Sequence, residues 1–302
     1  MPRALDSYHR SGNWCCQTEV PGQLEEGGSA KKNHSTSGIA CVILVSGFER
    51  KEAVPAMTMR IHIGTSGFSY LHWKGVFYPE KLPQRSWLEF YATRFRAVEI
   101  NSSFYHLPRE SVLESWYRRT PEGFTFVLKG SRTVTHIRRI KDCRDSVELF
   151  YERAFLLREK LGAVLWQLPP GLSADCGLLR EFLRMLPARP TPVVEFRNPS
   201  WYAEDVYKTL ADSGAAFCIH DIARCRSPDL VTAPVAYLRF HGTSGRYSGG
   251  YPDEHLRDRA EWIARTGIGE VYAFFNNDVQ GHAVRDALTL LRLLEARVSG
   301  SR

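Results

Sequence analysis

Side chains able to move protons stand at or near the ends of several short apolar segments of the chain. Glu99 and Glu195 are each the second-last residue of such a segment, Lys129 is the last residue of a third, and His241 follows a fourth. Two carboxylates can act as general acid and general base, and a neighbouring cation can shift the pKa of either one. We therefore predict Glu99, Glu195, Lys129 and His241 as catalytic residues.

Amide, imidazole and guanidinium groups occur at equivalent positions. The loop His241–Gly250 follows the seventh apolar segment, and Asn276–Ala283 follows the eighth and leads into a helical pattern. In barrels of alternating strands and helices, these two loops and that helix start often bind phosphate, and arginines add charge-assisted hydrogen bonds. The residues predicted to bind a small anionic molecule are Asn101, Arg132, Gln167, Arg197, Arg239, Asn276, Asn277, Asp278 and His282.

The same charges allow a purely structural interpretation. Buried charges are costly unless they are paired, so these groups could neutralise one another. In such a network Glu99 would pair with Lys129, and Glu195 would pair with Arg197 or Arg239. Ion networks of this kind occur in clefts that have no activity.

A divalent metal is a further alternative. Its ligands would come from a set of carboxylates and one imidazole, namely Glu99, Glu195, Asp221, His241 and Asp278. The chain has no H-x-x-x-H or H-x-H pattern, and basic residues crowd the same positions. We therefore predict no metal and no cofactor, with a divalent metal kept as the alternative.

The elements that must position these groups alternate between strand and helix. Apolar, β-branched segments predict eight strands, at Arg60–Gly64, Ala97–Ile100, Phe124–Lys129, Ala163–Gln167, Pro192–Phe196, Ala215–His220, Val235–Phe240 and Glu270–Phe275. Amphipathic segments predict helices at Pro83–Phe95, Arg109–Arg119, Asp145–Leu161, Asp175–Leu186, Ala203–Ser213, Asp253–Arg265 and His282–Arg297. The segment Asp221–Pro234 has no helical pattern.

Eight strands in this length favour an α/β fold of the (β/α)₈ TIM-barrel type, which takes about 250 residues. An open doubly wound sheet would carry a G-x-G-x-x-G turn after its first strand. Here that turn reads GTSG, from Gly64 to Gly67. We predict a single barrel domain over residues 59–297. Strand alternation then places Glu99, Lys129, Glu195 and Arg239 on the inward face.

Composition narrows the class of protein. The chain has 302 residues, a net charge of +7 and seven cysteines in irregular spacing without a C-x-x-C pair. These features argue against a disulfide framework and a zinc knuckle. An apolar run of 18 residues is absent from the sequence, so a membrane-spanning protein is not predicted. We expect reduced thiols, a cytoplasmic location and no membrane partner; the sequence leaves the oligomeric state open.

Residues 1–58 differ from the rest. They contain Gly-Gly and Lys-Lys pairs and no sustained helix or strand periodicity. Met57 and Met59 directly precede the first predicted strand. We expect a disordered extension without chemistry, or a misassigned start.

Six motifs together resemble those of the YecE-like family, the family of domain of unknown function seventy-two. They read GTSGFSYLHWKGVFYP from Gly64, VEINSSFY from Val98, KGSRTVTH from Lys129, EFRNPSW from Glu195, RFHG from Arg239 and FFNNDVQGHA from Phe274. The resemblance covers about residues 60–294 and implies a TIM barrel without a settled activity. Carried over by motif, the family's polar signature falls on Glu99, Asn101, Ser102, Lys129, Arg132, Gln167, Glu195, Arg197, Asp221, Arg239, His241, Asn276, Asn277, Asp278 and His282.

Two functions follow from these residues. The first is an enzyme, a hydrolase or an isomerase or lyase, that acts on a small phosphorylated or polyhydroxylated molecule through Glu99 and Glu195. The second is a nucleic-acid-binding or nuclease-like barrel that uses a basic rim including Arg132, Arg138 and Arg139. Fold alone does not choose between them.

Overall fold

The computed structural model describes residues 59–222, 225–244 and 247–300. The expectation for residues 1–58 lies outside these ranges. Within them the chain forms eight parallel strands that alternate with helices, in the order and number that the sequence predicts. The strands are β1 Arg60–Thr65, β2 Ala97–Ile100, β3 Thr125–Lys129, β4 Leu161–Gln167, β5 Thr191–Glu195, β6 Ala216–His220, β7 Val235–Phe240 and β8 Glu270–Phe275.

Seven α-helices accompany the strands in the described ranges. They are α1 Trp87–Ala92, α2 Glu110–Arg119, α3 Arg144–Ala154, α4 Cys176–Leu183, α5 Glu204–Asp212, α6 Asp253–Thr266 and α7 His282–Gly300. The predicted absence of a helix between β6 and β7 is confirmed for the residues described there. None of the described helices is both long and apolar enough to cross a bilayer.

The first and third helices depart most from their predicted ranges, and α4 also ends three residues before its predicted end. The first was expected from Pro83, but a 3₁₀ turn, Gln84–Ser86, precedes α1. The third was expected to continue to Leu161, but α3 gives way to a 3₁₀ segment in which Arg158 has φ 50°. The positive φ of Arg158 ends the helical course of the chain shortly before β4. The amphipathic pattern of the sequence continues through this 3₁₀ segment, so it overestimates the length of the α-helix.

The sheet runs in the order β1-β8-β7-β6-β5-β4-β3-β2 and closes on itself. A parallel bridge between Ser66 and Glu99 joins the two ends. Tyr91 of α1 completes the closure, because its hydroxyl accepts from Thr65 N at 2.9 Å and donates to Ala97 O at 3.0 Å. A Cβ on Gly64 would lie 2.0 Å from Ala97 O, so the junction of β1 with β2, the seam of the barrel, requires glycine at this position. The predicted TIM barrel is confirmed.

The barrel interior is a packed apolar layer below a polar layer. Small and large side chains interlock in the apolar layer, which consists of Ala97, Val127, Ala163, Leu165, Val193, Ala216, Cys218, Ala233, Val235, Tyr237, Tyr272 and Phe274. Glu99, Lys129, Glu195 and Arg239 lie two residues beyond inward-facing members of this layer, on the same face of their strands. The predicted inward parity of these strands is therefore confirmed. A larger apolar cluster fills the space between strands and helices.

Candidate functional site at the carboxyl-terminal mouth

Glu99 is fully buried and both of its carboxylate oxygens accept hydrogen bonds. Ser66 Oγ donates to Oε1 and Tyr237 OH donates to Oε2, each at 2.6 Å. Arg239 adds Nε at 3.1 and 3.0 Å and Nη2 at 2.6 Å. Burial would raise the pKa of Glu99, but the charge and hydrogen bonds of Arg239 outweigh burial and hold the pKa below its ordinary value.

Arg239 joins the two predicted catalytic carboxylates. Its Nη1 donates to Glu195 Oε2 at 2.6 Å, while Nη2 makes a longer contact of 3.4 Å with Asn101 Oδ1. Arg197 Nε forms a second ion pair with Glu195 Oε1. The pairing therefore differs from one of the predicted pairs, because Glu99 meets Arg239 rather than Lys129. The bidentate fork of an arginine suits a carboxylate better than a lysine does.

Glu195 keeps one oxygen less well satisfied than the other. Oε1 and its ion-pair partner Arg197 Nε lie close together but without the alignment of a hydrogen bond, and neither has another partner among the described residues. Burial would raise the pKa of Glu195, yet Arg197 and Arg239 hold it well below its ordinary value. Glu195 is therefore an ionised carboxylate whose Oε1 has an ion-pair partner but no aligned hydrogen bond among the described residues.

His241 sits beside the two guanidinium groups as a neutral ring. Burial is the main cause that lowers its pKa to about 4, helped by Arg197 and Arg239 and opposed by Asp221. Its Nε2 faces Arg197 Nη2 at 3.2 Å and Arg239 Nη1 at 3.5 Å, both obligate donors. Nε2 must therefore accept, and the proton lies on Nδ1, which is 3.5 Å from Asp221 Oδ1.

Asp221 anchors the loop that carries His241. It accepts from His241 N at 2.8 Å and from the hydroxyl of Tyr251. The same tyrosine hydroxyl accepts from Gly242 N at 2.7 Å. Burial would raise the pKa of Asp221, but hydrogen bonds from His241 and Tyr251 hold it below its ordinary value. Asp221 is thus a partly buried positioning group in this arrangement.

Lys129 differs from the other charged groups because it has no carboxylate partner. Its Nζ lies 4.4 Å from the centroid of the Phe104 ring, and no ion pair to Lys129 occurs within the described ranges. Burial chiefly, and then the charge of Arg239, lower its pKa to about 7, while Glu195 opposes this. An amine with this pKa is roughly half neutral at neutral pH.

Phe104 also connects Lys129 to a histidine. The His136 ring meets the edge of Phe104 with centroids 4.9 Å apart, and its Nδ1 lies 2.9 Å from Thr135 Oγ1. Burial, with Lys129 and Arg132, lowers the pKa of His136 to about 4. His136 is therefore a second neutral imidazole near the amine.

Several predicted anion-binding residues make their contacts in the rim. Asn277 Nδ2 donates to Gly249 O at 2.9 Å and to Asp286 Oδ2 at 2.8 Å. His282 Nδ1 accepts from Arg285 Nη2 at 2.8 Å. These bonds fix the two loops that were predicted to bind phosphate.

The remaining predicted residues are exposed or half-buried around the same mouth. Asp278 Oδ2 lies 3.3 Å from His72 Nε2. Gln167 stands beside Glu195 in the register of β4 and β5. Asn276 N donates to Phe240 O at 2.7 Å, and Arg132 is exposed in the loop after β3. The structure thus brings Glu99, Asn101, Lys129, Glu195, Arg197, Arg239 and His241 into one cluster.

Sequence reasoning missed some partners in this cluster. Alternation places Tyr237 on the same inward face as Arg239, but the hydrogen bond from its hydroxyl to Glu99 was not predicted. Ser66 and Phe104 lie in the connections after β1 and β2. No helix or strand periodicity in the sequence predicts the path of those connections. Over the described ranges, three or more His, Cys, Asp or Glu side chains do not group as metal ligands would.

The comparisons with known proteins agree with the barrel fold. A model of the family described as protein of unknown function DUF72 matches residues 62–301, which is most of the chain. The chain belongs to the DUF72 family. The resemblance inferred from the six motifs is thereby confirmed.

The relatives carry names without an activity. The UPF0759 protein YunF of Bacillus subtilis is 27% identical over 278 residues, covering 80% of this chain and 96% of YunF. The UPF0759 protein YecE of Escherichia coli K12 is 33% identical over 118 residues, covering 39% of this chain and 43% of YecE.

Solved DUF72 structures have the same fold. A DUF72 family protein of Thermotoga maritima is 32% identical, with a TM-score of 0.71 over 78% of this chain and 99% of its own. One of Enterococcus faecalis is 22% identical, with a TM-score of 0.68 over 78% and 95%.

Proposed function

We propose that this DUF72 protein is an enzyme that binds a small anionic molecule, phosphorylated or polyhydroxylated, at the carboxyl-terminal mouth of the barrel. The observation that carries the proposal is the charge balance of the cluster. Arg197 and Arg239 are matched by Glu99 and Glu195, whereas the Lys129 amine adds positive charge without a carboxylate partner in the described chain. An anion entering the mouth would supply the missing partner.

The contacts also favour particular chemical roles. Glu99 accepts bonds from three side chains, so we assign it the positioning of Arg239 rather than the proton transfer first predicted for it. Glu195 keeps Oε1 for a substrate hydroxyl. Lys129 has a pKa of about 7, which suits a general acid or base near neutral pH.

Binding tests the anion site. Isothermal titration of phosphorylated sugars and sugar acids should find at least one member that binds, and Arg197→Ala should weaken it by about tenfold or more. Arg138→Ala is the matched control, because Arg138 is an exposed arginine whose guanidinium donates to Asp142 O at 2.9 Å. Equal loss in both variants, or no binding at all, would refute the site.

Turnover tests the enzyme. Each compound that binds is incubated with the protein in heavy water and followed by NMR for deuterium uptake or conversion. Conversion by the wild type that is lost in Lys129→Met supports the proposal. Compounds that bind but never change would leave a binding protein instead.

A second proposal is nucleic-acid binding on the outer rim. Arg132 is exposed beside the mouth, and Tyr105 exposes 64% of its surface next to Phe104, which offers a charge and a stacking face together. Fluorescence polarisation with single-stranded and duplex oligonucleotides should then show affinity that falls steeply with salt. Absence of binding at low salt would reject it.

A further inference from the structure

Lys129 ends β3 at the mouth, and its amine faces the ring of Phe104 rather than a carboxylate or a backbone carbonyl of the described chain. We infer that Lys129 is a nucleophile that condenses with a carbonyl group of the anionic substrate to form an imine. The inference rests on the proposed function and names its substrate class as a small anionic aldehyde or ketone.

The backbone of Lys129 is held in place while its amine is left open. Ser103 Oγ donates to Lys129 O at 2.8 Å, and Gly130 N donates to Leu165 O at 2.8 Å. Lys129 also pairs in register with Leu165 at the end of β3. These contacts fix the start of the side chain at the strand end, where barrel enzymes place reactive groups.

A buried lysine elsewhere in the barrel, Lys160, shows what a structural role looks like in this fold. Lys160 Nζ donates to Tyr117 O and Thr120 O at 2.7 Å each and to Thr120 Oγ1 at 3.1 Å. All three of its donors are used, so its nitrogen has no lone pair to offer. Lys129 has no such set of acceptors among the described residues, and its side chain is half-buried rather than enclosed.

The surroundings of Lys129 favour the neutral amine. Burial and the guanidinium of Arg239, followed by Arg197, lower its pKa to about 7, although Glu195 and Glu99 act in the opposite direction. A lysine desolvated beside another cation is a recognised form of activated nucleophile. The partly exposed Arg197 side chain would hold the anionic group of the same substrate.

The step balances as a condensation. The neutral nitrogen attacks the carbonyl carbon, a C–N bond forms, and the C=O π electrons move to oxygen. The nitrogen then loses a proton, the oxygen gains protons, and the C–O bond breaks to release water. The products are a protonated imine and one water molecule, with net uptake of one proton from solvent. Neither an oxidant nor a reductant is needed.

Reductive trapping tests the inference. The full chain is incubated at neutral pH with dihydroxyacetone phosphate, glycolaldehyde phosphate or pyruvate, then treated with sodium borohydride, and adducts are mapped by peptide mass spectrometry. We expect one adduct per chain at Lys129, and a yield lowered by about tenfold or more in Lys129→Arg, whose guanidinium is not a nucleophile at this pH. Lys141→Arg, a change in an exposed lysine of a nearby loop, should leave the yield unchanged.

Three outcomes would overturn the inference. Adducts spread over exposed lysines, an unchanged yield in Lys129→Arg, or a probe that binds in calorimetry without any adduct would each do so. The last outcome leaves the anion site intact, whereas failure of every probe and every phosphorylated sugar to bind removes the proposed function as well.

A measurement on the wild type alone avoids the risk that a variant fails to fold. Competitive labelling of Lys129 by acetic anhydride, which reacts with the neutral amine, should level off just above pH 7 in the wild type, and a rate that keeps rising to pH 10 contradicts the inference.

Discussion

Replacing Lys129 by Met should stabilise the protein, although a core-facing polar residue is lost. The lysine has its pKa lowered from 10.5 to about 7. At 1.36 kcal/mol per pKa unit, this shift is equivalent to about 4–5 kcal/mol of unfavourable free energy for the charged native state. The side chain is partly exposed, so solvent screening reduces the expected gain to about 2 kcal/mol. Met keeps the length of the aliphatic stem against Phe104 without the charge.

The sign of the pH dependence follows from the two states. Below about pH 7 the amine is charged in both states, so the folded wild type carries the whole cost. Between about pH 7 and 10.4 the native state releases its proton while the unfolded chain keeps it, and stability rises with pH. The advantage of Lys129→Met is therefore largest near pH 6 and smallest near pH 10.

Urea unfolding of both proteins at pH 6 and pH 9.5 measures the effect. Lys160→Met is the matched control, because it leaves the carbonyls of Tyr117 and Thr120 without their donor and should destabilise by about 1–3 kcal/mol. The reasoning fails if Lys129→Met destabilises at pH 6, or if its effect is the same at both pH values. In either case the amine would be paired or fully hydrated in the native state.

Further predictions concern the cluster and the barrel frame. Arg239→Met should destabilise by about 3–5 kcal/mol in urea unfolding, because two buried carboxylates lose their shared counter-ion. Glu270, whose pKa is lowered to about 2 chiefly by the hydrogen bond from His62, should contribute about 2–3 kcal/mol that is present above about pH 4.3 and lost as pH falls towards 2. Glu270→Gln should remove that part of the acid dependence measured by denaturation. Gly130→Ala should destabilise by about 1–3 kcal/mol, because its Cβ would lie 2.2 Å from a ring carbon of Trp166. Gly177→Ala, in the first turn of α4, should change stability by less than about 1 kcal/mol in the same assay, because the helix propensity of Ala is offset by a Cβ 3.3 Å from the capping oxygen Asp175 Oδ1.

The fold could be predicted because the apolar patterns that define its strands and helices each lie within a short stretch of sequence. Each strand is a short apolar segment, and each inward position follows from alternation along that segment. The seam of the barrel could not be predicted in this way. It depends on Tyr91 reaching Thr65 and Ala97 and on the space left by Gly64. These contacts depend on how α1 packs across two strands, and no single segment encodes them.

The structure places the predicted site residues at or around the mouth, but the pairing of their charges was harder to foresee. The ion pair of Glu99 with Arg239 joins residues 140 positions apart on opposite parts of the barrel. Alternation places both on the inward face without saying which cation reaches which carboxylate. The choice is made by geometry, because the flat guanidinium spans Glu99 and Glu195 at once while a lysine cannot.

This pairing bears on whether the polar layer is only a structural network. A network that served stability alone would match every buried cation with an anion or a set of acceptors, as Lys160 is matched. Here two arginines and two glutamates neutralise each other, and the lysine that faces the mouth remains outside the arrangement. Burial chiefly, and then the charge of Arg239, lower the pKa of Lys129, and the ion pairs with Glu99 and Glu195 hold that arginine in place. We therefore propose that the ion network and Lys129 belong to one site, in which the fixed Arg239 helps burial to keep the amine neutral.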